Sequence, residues 1–213
     1  MKTDELMNVL STNLEVVDTR RVFRELAAAV MVGTVAVLAF VFFARGIRAD
    51  IRELHALLFI SLKVSLGLGV VSGGLIFLAQ AARPRSGRKF APNVSTWFVT
   101  AVALLAIASL TAKPIWHWHT MAMTDGWLEC LVSIPFIAIV PFAVVVWALR
   151  RMAPTDLVRA GALAGFVASG ISIIGYALHC TGDSVSFITI WYGGTLLLCT
   201  MAGALLGPRL LRW

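Results

Sequence analysis

Two cysteines in short polar segments are the residues of this sequence with the clearest chemical potential. Cys180 follows His179 and precedes Asp183, and Cys130 follows Glu129. Two thiols can form a disulfide when their Cα atoms lie about 4.4–6.8 Å apart, and thiolates with imidazoles bind zinc, copper or cadmium. The sequence has no Cys-x-x-Cys motif. A disulfide, a metal site and two separate thiols therefore all stay open for Cys130 and Cys180.

Two further histidines extend the set of candidate metal ligands. They alternate with tryptophans in the segment Trp116-His117-Trp118-His119, although such residues are also common at membrane interfaces. We expect no obligatory cofactor, and we treat a soft or borderline metal ion as a signal. The candidate ligands are Cys130, Cys180, His179, His117 and His119.

No signature of a common enzyme class is present, and we predict that the protein is not an enzyme. The sequence has no nucleophile motif, no Walker loop and no dinucleotide-binding fingerprint. Two alternatives stay open, a membrane thiol oxidoreductase and a metal-handling membrane protein. The first usually needs a second dithiol to pass electrons on, and the second usually needs acidic residues within its spans.

The composition predicts a membrane protein. The 213 residues are 59% hydrophobic and 14% charged, with a mean hydropathy of +0.87, whereas a soluble domain is about half apolar and a quarter charged. Continuous apolar stretches of about 18 residues or more indicate transmembrane helices. We predict an all-α polytopic protein with six of them. The predicted spans are Leu26–Phe43, Ala56–Gln80, Ser95–Ala112, Leu128–Leu149, Ala160–Leu178 and Val185–Leu206.

The distribution of lysine and arginine predicts the orientation in the membrane. Most of these residues fall in the N-terminal segment, the second and fourth connections and the C-terminal tail. The positive-inside rule then places both termini in the cytoplasm. The formal charge of +7 serves this orientation, so we expect no direct contact with nucleic acid. Lys63 lies near the start of the second span, and we expect its ammonium to snorkel to the outer interface.

Small residues and prolines predict how the spans pack. Gly161, Gly165 and Ser169 repeat every four residues in the fifth span and form a ridge that allows close helix contact. Pro135 and Pro141 are expected to kink the fourth span. We interpret the ridge as ordinary packing within the bundle, with a homodimer face as the alternative.

The N-terminal segment predicts an amphipathic helix on the cytoplasmic side. Its polar face is acidic, so anionic lipid would repel it, and insertion into a groove of a soluble protein fits better. We therefore divide the chain into a cytoplasmic binding segment, residues 1–24, and a six-helix transmembrane domain, residues 25–213. The apolar stripe consists of Leu6, Met7, Leu10, Leu14 and Val17.

Short motifs spread over nearly the whole chain match one family. They include Met1–Leu6, Cys130 with Ile134, Pro135 and Pro141, Ala148–Arg151 with Ala153–Thr155, Tyr176–Cys180, Asp183-Ser184, Phe187, Trp191-Tyr192 and Gly203–Trp213. In these motifs the chain resembles the NrsF-like integral membrane anti-sigma factors, which pair with extracytoplasmic-function sigma factors in proteobacteria.

The resemblance implies a location, a partner and a signal. It implies six transmembrane helices in the bacterial inner membrane and a short N-terminal segment that holds the sigma factor. It also implies that a periplasmic stress signal, either a thiol-reactive metal or an oxidant, is received at Cys130 and Cys180.

Overall fold

The computed structural model describes residues 19–81, 127–152 and 154–212, in which all regular structure is helical. Five helices in these ranges are long and apolar enough to cross a membrane. The all-α prediction is confirmed for this part of the chain. The predicted N-terminal helix, with Leu6, Met7, Leu10, Leu14 and Val17, and the predicted third span, Ser95–Ala112, lie outside the described residues.

The helices are labelled in chain order. A π-helical turn, Val41–Arg45, directly continues α1 at its carboxyl end, and α5 contains another, Ile188–Tyr192, near its start. Helix α3 stays continuous through Pro135 and Pro141. The helices are α1 (Thr19–Phe40), α2 (Leu54–Ala81), α3 (Trp127–Arg150), α4 (Leu157–Tyr176) and α5 (Val185–Leu210).

Helix α4 is the centre of the described bundle. It packs against α1, α2, α3 and α5, and most of its side chains are buried. Its buried serines keep their hydroxyls bonded to the helix itself, Ser169 to the Phe166 carbonyl and Ser172 to the Ala168 carbonyl. The surrounding helices expose large apolar side chains such as Phe43 and Leu205, as expected of surfaces that face lipid.

Glycines bring the backbones of α4 and α5 into direct contact. A Cβ atom at Gly161 would collide with the carbonyl oxygen of Gly203, and one at Gly165 would collide with the carbonyl oxygen of Cys199. Gly207 approaches Gly161 in the same way. The ridge of Gly161 and Gly165 therefore faces α5 within one molecule, and α5 covers the surface that a second copy would need.

The bundle has two ends with different residues. The carboxyl ends of α1 and α4 and the amino ends of α2, α3 and α5 lie together, because Arg48 of the α1–α2 loop donates to the Leu178 carbonyl and Arg45 bonds Ser133 of α3. We call this the thiol end, since it carries Cys130 and Cys180. The opposite end carries Thr19, Ala81 and the Arg150 contact with the Leu210 carbonyl.

The close α4–α5 contact predicts a specific sensitivity to a single methyl group. Gly165→Ala should lower the free energy of unfolding by about 1–3 kcal/mol, because the added Cβ forces two backbones apart. Gly194→Ala is the matched control, since its Cβ would meet nothing within 4 Å in the described ranges; helix propensity there should leave stability unchanged or raise it by up to about 1 kcal/mol. Unfolding in mixed micelles with increasing dodecyl sulfate measures both. Equal effects of the two variants would contradict this packing.

Candidate functional site

The structure brings the two sequence-predicted cysteines together. Cys130 lies in the first turn of α3, and Cys180 lies in the loop between α4 and α5. Their Sγ atoms are 3.5 Å apart, within contact distance for two thiols. Cys130 is fully buried and Cys180 is 7% exposed. The third cysteine, Cys199, lies at mid-height in α5 and packs against Gly165.

The loop that holds Cys180 has a defined backbone. Its first turn continues from α4, with the amides of His179 and Cys180 both donating to the Tyr176 carbonyl at 3.0 Å. Its end is fixed by Ser184, whose hydroxyl accepts from the Phe187 amide at 3.1 Å and caps α5. Between them, Gly182 leaves room for the Phe187 ring, which a Cβ atom would meet at 2.5 Å.

Two buried cations converge on this loop. Lys63 of α2 donates from Nζ to the Cys180 carbonyl at 3.0 Å and to Oδ1 of Asp183 at 2.9 Å. Arg48 donates to the same carbonyl at 3.2 Å and to both carboxylate oxygens of Asp183 at 3.1 and 2.7 Å. Asp50 pairs with Arg48 on the outer side, with its side chain 39% exposed. We call Arg48, Lys63 and Asp183 the ion cluster.

The ion cluster overturns the prediction made for Lys63. Its side chain is fully buried and ion-paired, so the expectation that it snorkels to the interface is wrong. The physical reason is the carboxylate of Asp183, which lies 120 positions away in the chain and offers a closer partner than the interface. An ammonium with a carboxylate and a carbonyl as acceptors is compensated inside the protein.

The ion cluster sets the protonation of the groups around it. Burial raises the pKa of Asp183, but hydrogen bonds from Arg48 and Lys63 outweigh it and hold that pKa below its usual value. The hydrogen bond from Arg48 lowers the pKa of Asp50 to about 2. The Cys130 thiol lowers the pKa of the Cys180 thiol against the opposing effect of burial, and Lys63 lowers it further. Cys180 is therefore positioned to carry thiolate character, which thiol chemistry requires.

Two buried tyrosines lie beside the thiol pair. Tyr176 and Tyr192 are both buried beside it, and Trp127 stacks on Trp191 with ring centroids 4.9 Å apart. The Tyr192 hydroxyl has no hydrogen-bond partner of ordinary geometry in the described ranges. It lies close to the Cys180 thiol and lowers the pKa of that thiol. A buried donor of this kind can bond a thiolate once one forms.

The predicted metal ligands are only partly brought together. The Nδ1 atom of His179 lies 3.1 Å from the carbonyl oxygen of Gly46, and its ring packs against Tyr176. Across residues 19–81, 127–152 and 154–212, no three His, Cys, Asp or Glu side chains are grouped to hold a metal ion. His117 and His119 lie outside the described residues, so their role as ligands stays a prediction.

Gly46 makes the turn that brings Arg48 over the loop. Its φ of 76° and ψ of 165° form a backbone conformation that side chains other than glycine avoid. Sequence reasoning placed Asp183 beside Cys180 but gave it no partner, and it gave Arg48, Tyr176 and Tyr192 no role in the site. The signal for the role of Asp183 was the intramembrane lysine itself, since a positive charge within a span needs a partner of opposite charge.

Comparison with known proteins identifies the family. A family model described as "NrsF: Negative regulator of sigma F" matches residues 10–213. The chain belongs to the NrsF family. It is 26% identical to the "Probable anti-sigma-F factor NrsF" of Azospira oryzae and 27% identical to the "Anti-sigma-F factor NrsF" of Caulobacter vibrioides, over the full length of each pair. No solved structure gives a significant match.

Family membership confirms the resemblance found in the sequence motifs. NrsF proteins are negative regulators of a sigma factor, which is a regulatory rather than an enzymatic role. The five apolar helices of this NrsF-family protein agree with a membrane-bound regulator.

The sulfur contact predicts one specific disulfide. Treatment with diamide, a thiol oxidant, should join Cys130 to Cys180, because a sulfur shift of about 1.5 Å turns their 3.5 Å contact into a bond of about 2.05 Å. Mass spectrometry of peptides from the oxidised, unreduced NrsF-family protein checks this. Cys199 is the internal control and should stay a free thiol. A disulfide to Cys199, or none at all, would contradict the geometry.

Proposed function

We propose that this NrsF-family protein is an inner-membrane anti-sigma factor whose thiol pair receives a periplasmic signal. In this proposal the N-terminal segment, residues 1–24, holds an extracytoplasmic-function sigma factor away from RNA polymerase. A change in the bonding of Cys130 and Cys180 releases it. The observation that carries the proposal is the separation of the two sites, since the thiol pair and Thr19, which belongs to the N-terminal segment, lie at opposite ends of the bundle.

The sigma-binding surface is the apolar stripe of the N-terminal segment. An amphipathic helix binds a groove through apolar side chains at helical spacing, and the acidic polar face of this segment disfavours anionic lipid. The partner is therefore a protein surface, and no direct contact with nucleic acid is part of this proposal. The stripe consists of Leu6, Met7, Leu10, Leu14 and Val17.

Six spans in the lipid bilayer account for the connectivity of the bundle. Helix α2 ends at the end opposite the thiols, and α3 begins at the thiol end, which is the arrangement that one further span between them would connect. The predicted span Ser95–Ala112 is long enough to do this. The end opposite the thiols carries Arg150, Arg151, Arg209 and Arg212, which the positive-inside rule assigns to the cytoplasm.

An oxidative signal fits the site better than a metal signal. Two sulfurs in contact at the oxidising face of the membrane are suited to a disulfide. A soft metal ion would act on the same two sulfurs, but the described part of the chain offers it no grouped third ligand. Formation of the disulfide removes two electrons and two protons from the two thiols, and a periplasmic thiol oxidant accepts them.

The thiol-oxidoreductase alternative is less favoured by the position of the third cysteine. The sequence has three cysteines, and Cys199 packs against Gly165. From Gly165 to Tyr176, at the thiol end of α4, is about 16 Å at 1.5 Å per residue. A relay would need a second thiol near the first pair.

The energy required of the signal is modest. A hundredfold loss of affinity for the sigma factor corresponds to about 2.8 kcal/mol of coupling between the two sites. One disulfide typically contributes about 2–4 kcal/mol. A bond between Cys130 and Cys180 is therefore large enough, provided that the bonded and unbonded states hold the N-terminal segment differently.

The apolar stripe predicts the residues on which sigma binding depends. Replacing Leu10 and Leu14 together by Glu should weaken binding at least about a hundredfold, because each buried leucine is worth about 1.5–3 kcal/mol. Fluorescence anisotropy of a labelled sigma factor, titrated with the protein in nanodiscs, measures this. Replacing Asn8 and Thr12 by Glu adds the same charge to the opposite face of the helix and should change affinity by less than about threefold. Equal losses in both pairs would contradict the proposed groove contact.

The thiol pair predicts which cysteines make sigma binding redox-dependent. Diamide should weaken the affinity of the wild-type protein, and the paired substitution Cys130→Ser and Cys180→Ser should abolish that response while keeping the affinity of the reduced state. The same titration in nanodiscs, with and without diamide, provides the measurement. Cys199→Ser should respond like the wild type. A normal response in the double serine variant would refute the switch.

A further inference from the structure

The ion cluster has no assigned part in the proposed function, although it is joined to the reactive loop. Lys63 comes from α2, Arg48 from the α1–α2 loop, and both donate to the backbone carbonyl of Cys180. Cys130 meets the same residue from α3, through its sulfur. Three separate parts of the bundle therefore contact one loop residue.

Burying these charges is costly, which argues that they serve more than stability. A fully buried ammonium loses its hydration, and a buried ion pair is often no more stable than an apolar pair of similar volume. Lys63 is fully buried, and the side chains of Arg48 and Asp183 are 2% and 10% exposed. An apolar contact could join α2 to the loop, but it would leave the Cys180 carbonyl without these donors.

The backbone of Cys180 depends on these donors for its position. It lies beyond the last turn of α4 and before α5, so helical hydrogen bonds do not fix its carbonyl. The carbonyl accepts from Lys63 at 3.0 Å and from Arg48 at 3.2 Å. Losing Lys63 leaves this carbonyl with Arg48, the more distant donor, so the loop backbone is held less firmly and Sγ of Cys180 can shift relative to Cys130.

We infer that Lys63 is the positioning residue of the thiol pair: by holding the Cys180 carbonyl, it keeps Sγ of Cys180 against Sγ of Cys130. This inference rests on the proposed function, because it assigns Lys63 a part in the thiol chemistry proposed there. Arg48 supports the same carbonyl, and Asp183 keeps both cations in place.

The inference is tested by the rate of disulfide formation in the full chain. The protein in nanodiscs is treated with diamide, which accepts the two electrons and two protons that the thiols release. Samples are quenched with N-ethylmaleimide, and mass spectrometry gives the fraction of Cys130–Cys180 bond against time. Lys63→Met should slow the reaction about tenfold or more, since small displacements of reacting atoms have effects of this size.

Two further variants separate positioning from stability. Combining Lys63→Met with Asp183→Asn removes one charge of each sign and leaves Arg48 paired with Asp50, so it restores the charge balance of the cluster where Lys63→Met alone fails to fold. The double variant should remain slow even if its unfolding midpoint returns to that of the wild type. Arg52→Met removes an exposed cation from the same end of the bundle and should oxidise at the wild-type rate.

Each outcome bears on the inference. A wild-type rate in Lys63→Met, or in the double variant, overturns it, and so does an equal slowing in Arg52→Met. Sigma-factor affinity measured on the same samples separates this inference from the proposed function. If the wild-type protein forms the bond and keeps its sigma factor, the proposed function is wrong, whereas the rate comparison still decides the part played by Lys63.

Discussion

The arrangement of the thiol end depends on one carboxylate that satisfies two buried cations. Asp183 accepts hydrogen bonds from both Arg48 and Lys63, which in turn hold the carbonyl of Cys180. Removing the carboxylate would leave the buried ammonium of Lys63 without its anionic partner and Arg48 with Asp50 alone, which is more costly than the loss of a surface ion pair. The cluster therefore restricts the loop to few conformations. The sulfur contact of Cys180 with Cys130 is one consequence of this restriction.

The same end of the bundle is linked to the first helix. Arg45, in the π-helical turn that ends α1, bonds Ser133, which lies one turn after Cys130 in α3. At the opposite end of the bundle, α1 begins at Thr19, which belongs to the N-terminal segment. A movement of the first turn of α3 would thus act on the helix that carries the proposed sigma-binding segment. The α4–α5 pair, whose backbones are in direct contact, is the tightly packed part of the bundle against which such a movement would take place.

Much of the fold could be predicted from the sequence, because the membrane leaves few choices. Long uncharged runs must be helices in lipid, and the five described helices fall where such runs were found. The thiol pair could be proposed because both cysteines lie near helix ends at the same end of the bundle. The burial of Lys63 in an ion pair could not be predicted, since its partner Asp183 lies 120 positions away and helical periodicity carries no information on such pairs. For the same reason the contact of His179 Nδ1 with the carbonyl oxygen of Gly46 could not be predicted, and the role of His179 as a metal ligand stays a prediction.

The central claim is that a change in the bonding of Cys130 and Cys180 at the thiol end lowers the affinity for a sigma factor bound at the other end of the bundle, across the membrane. Sealed vesicles test it most directly, with the N-terminal segment and a bound fluorescent sigma factor on one face and a membrane-impermeant thiol oxidant added to the other. The account predicts that the sigma factor dissociates as the Cys130–Cys180 bond forms, and that the same oxidant on the sigma-factor face has no effect while the membrane stays sealed. Complete formation of the bond with the sigma factor still held at its original affinity would contradict the account.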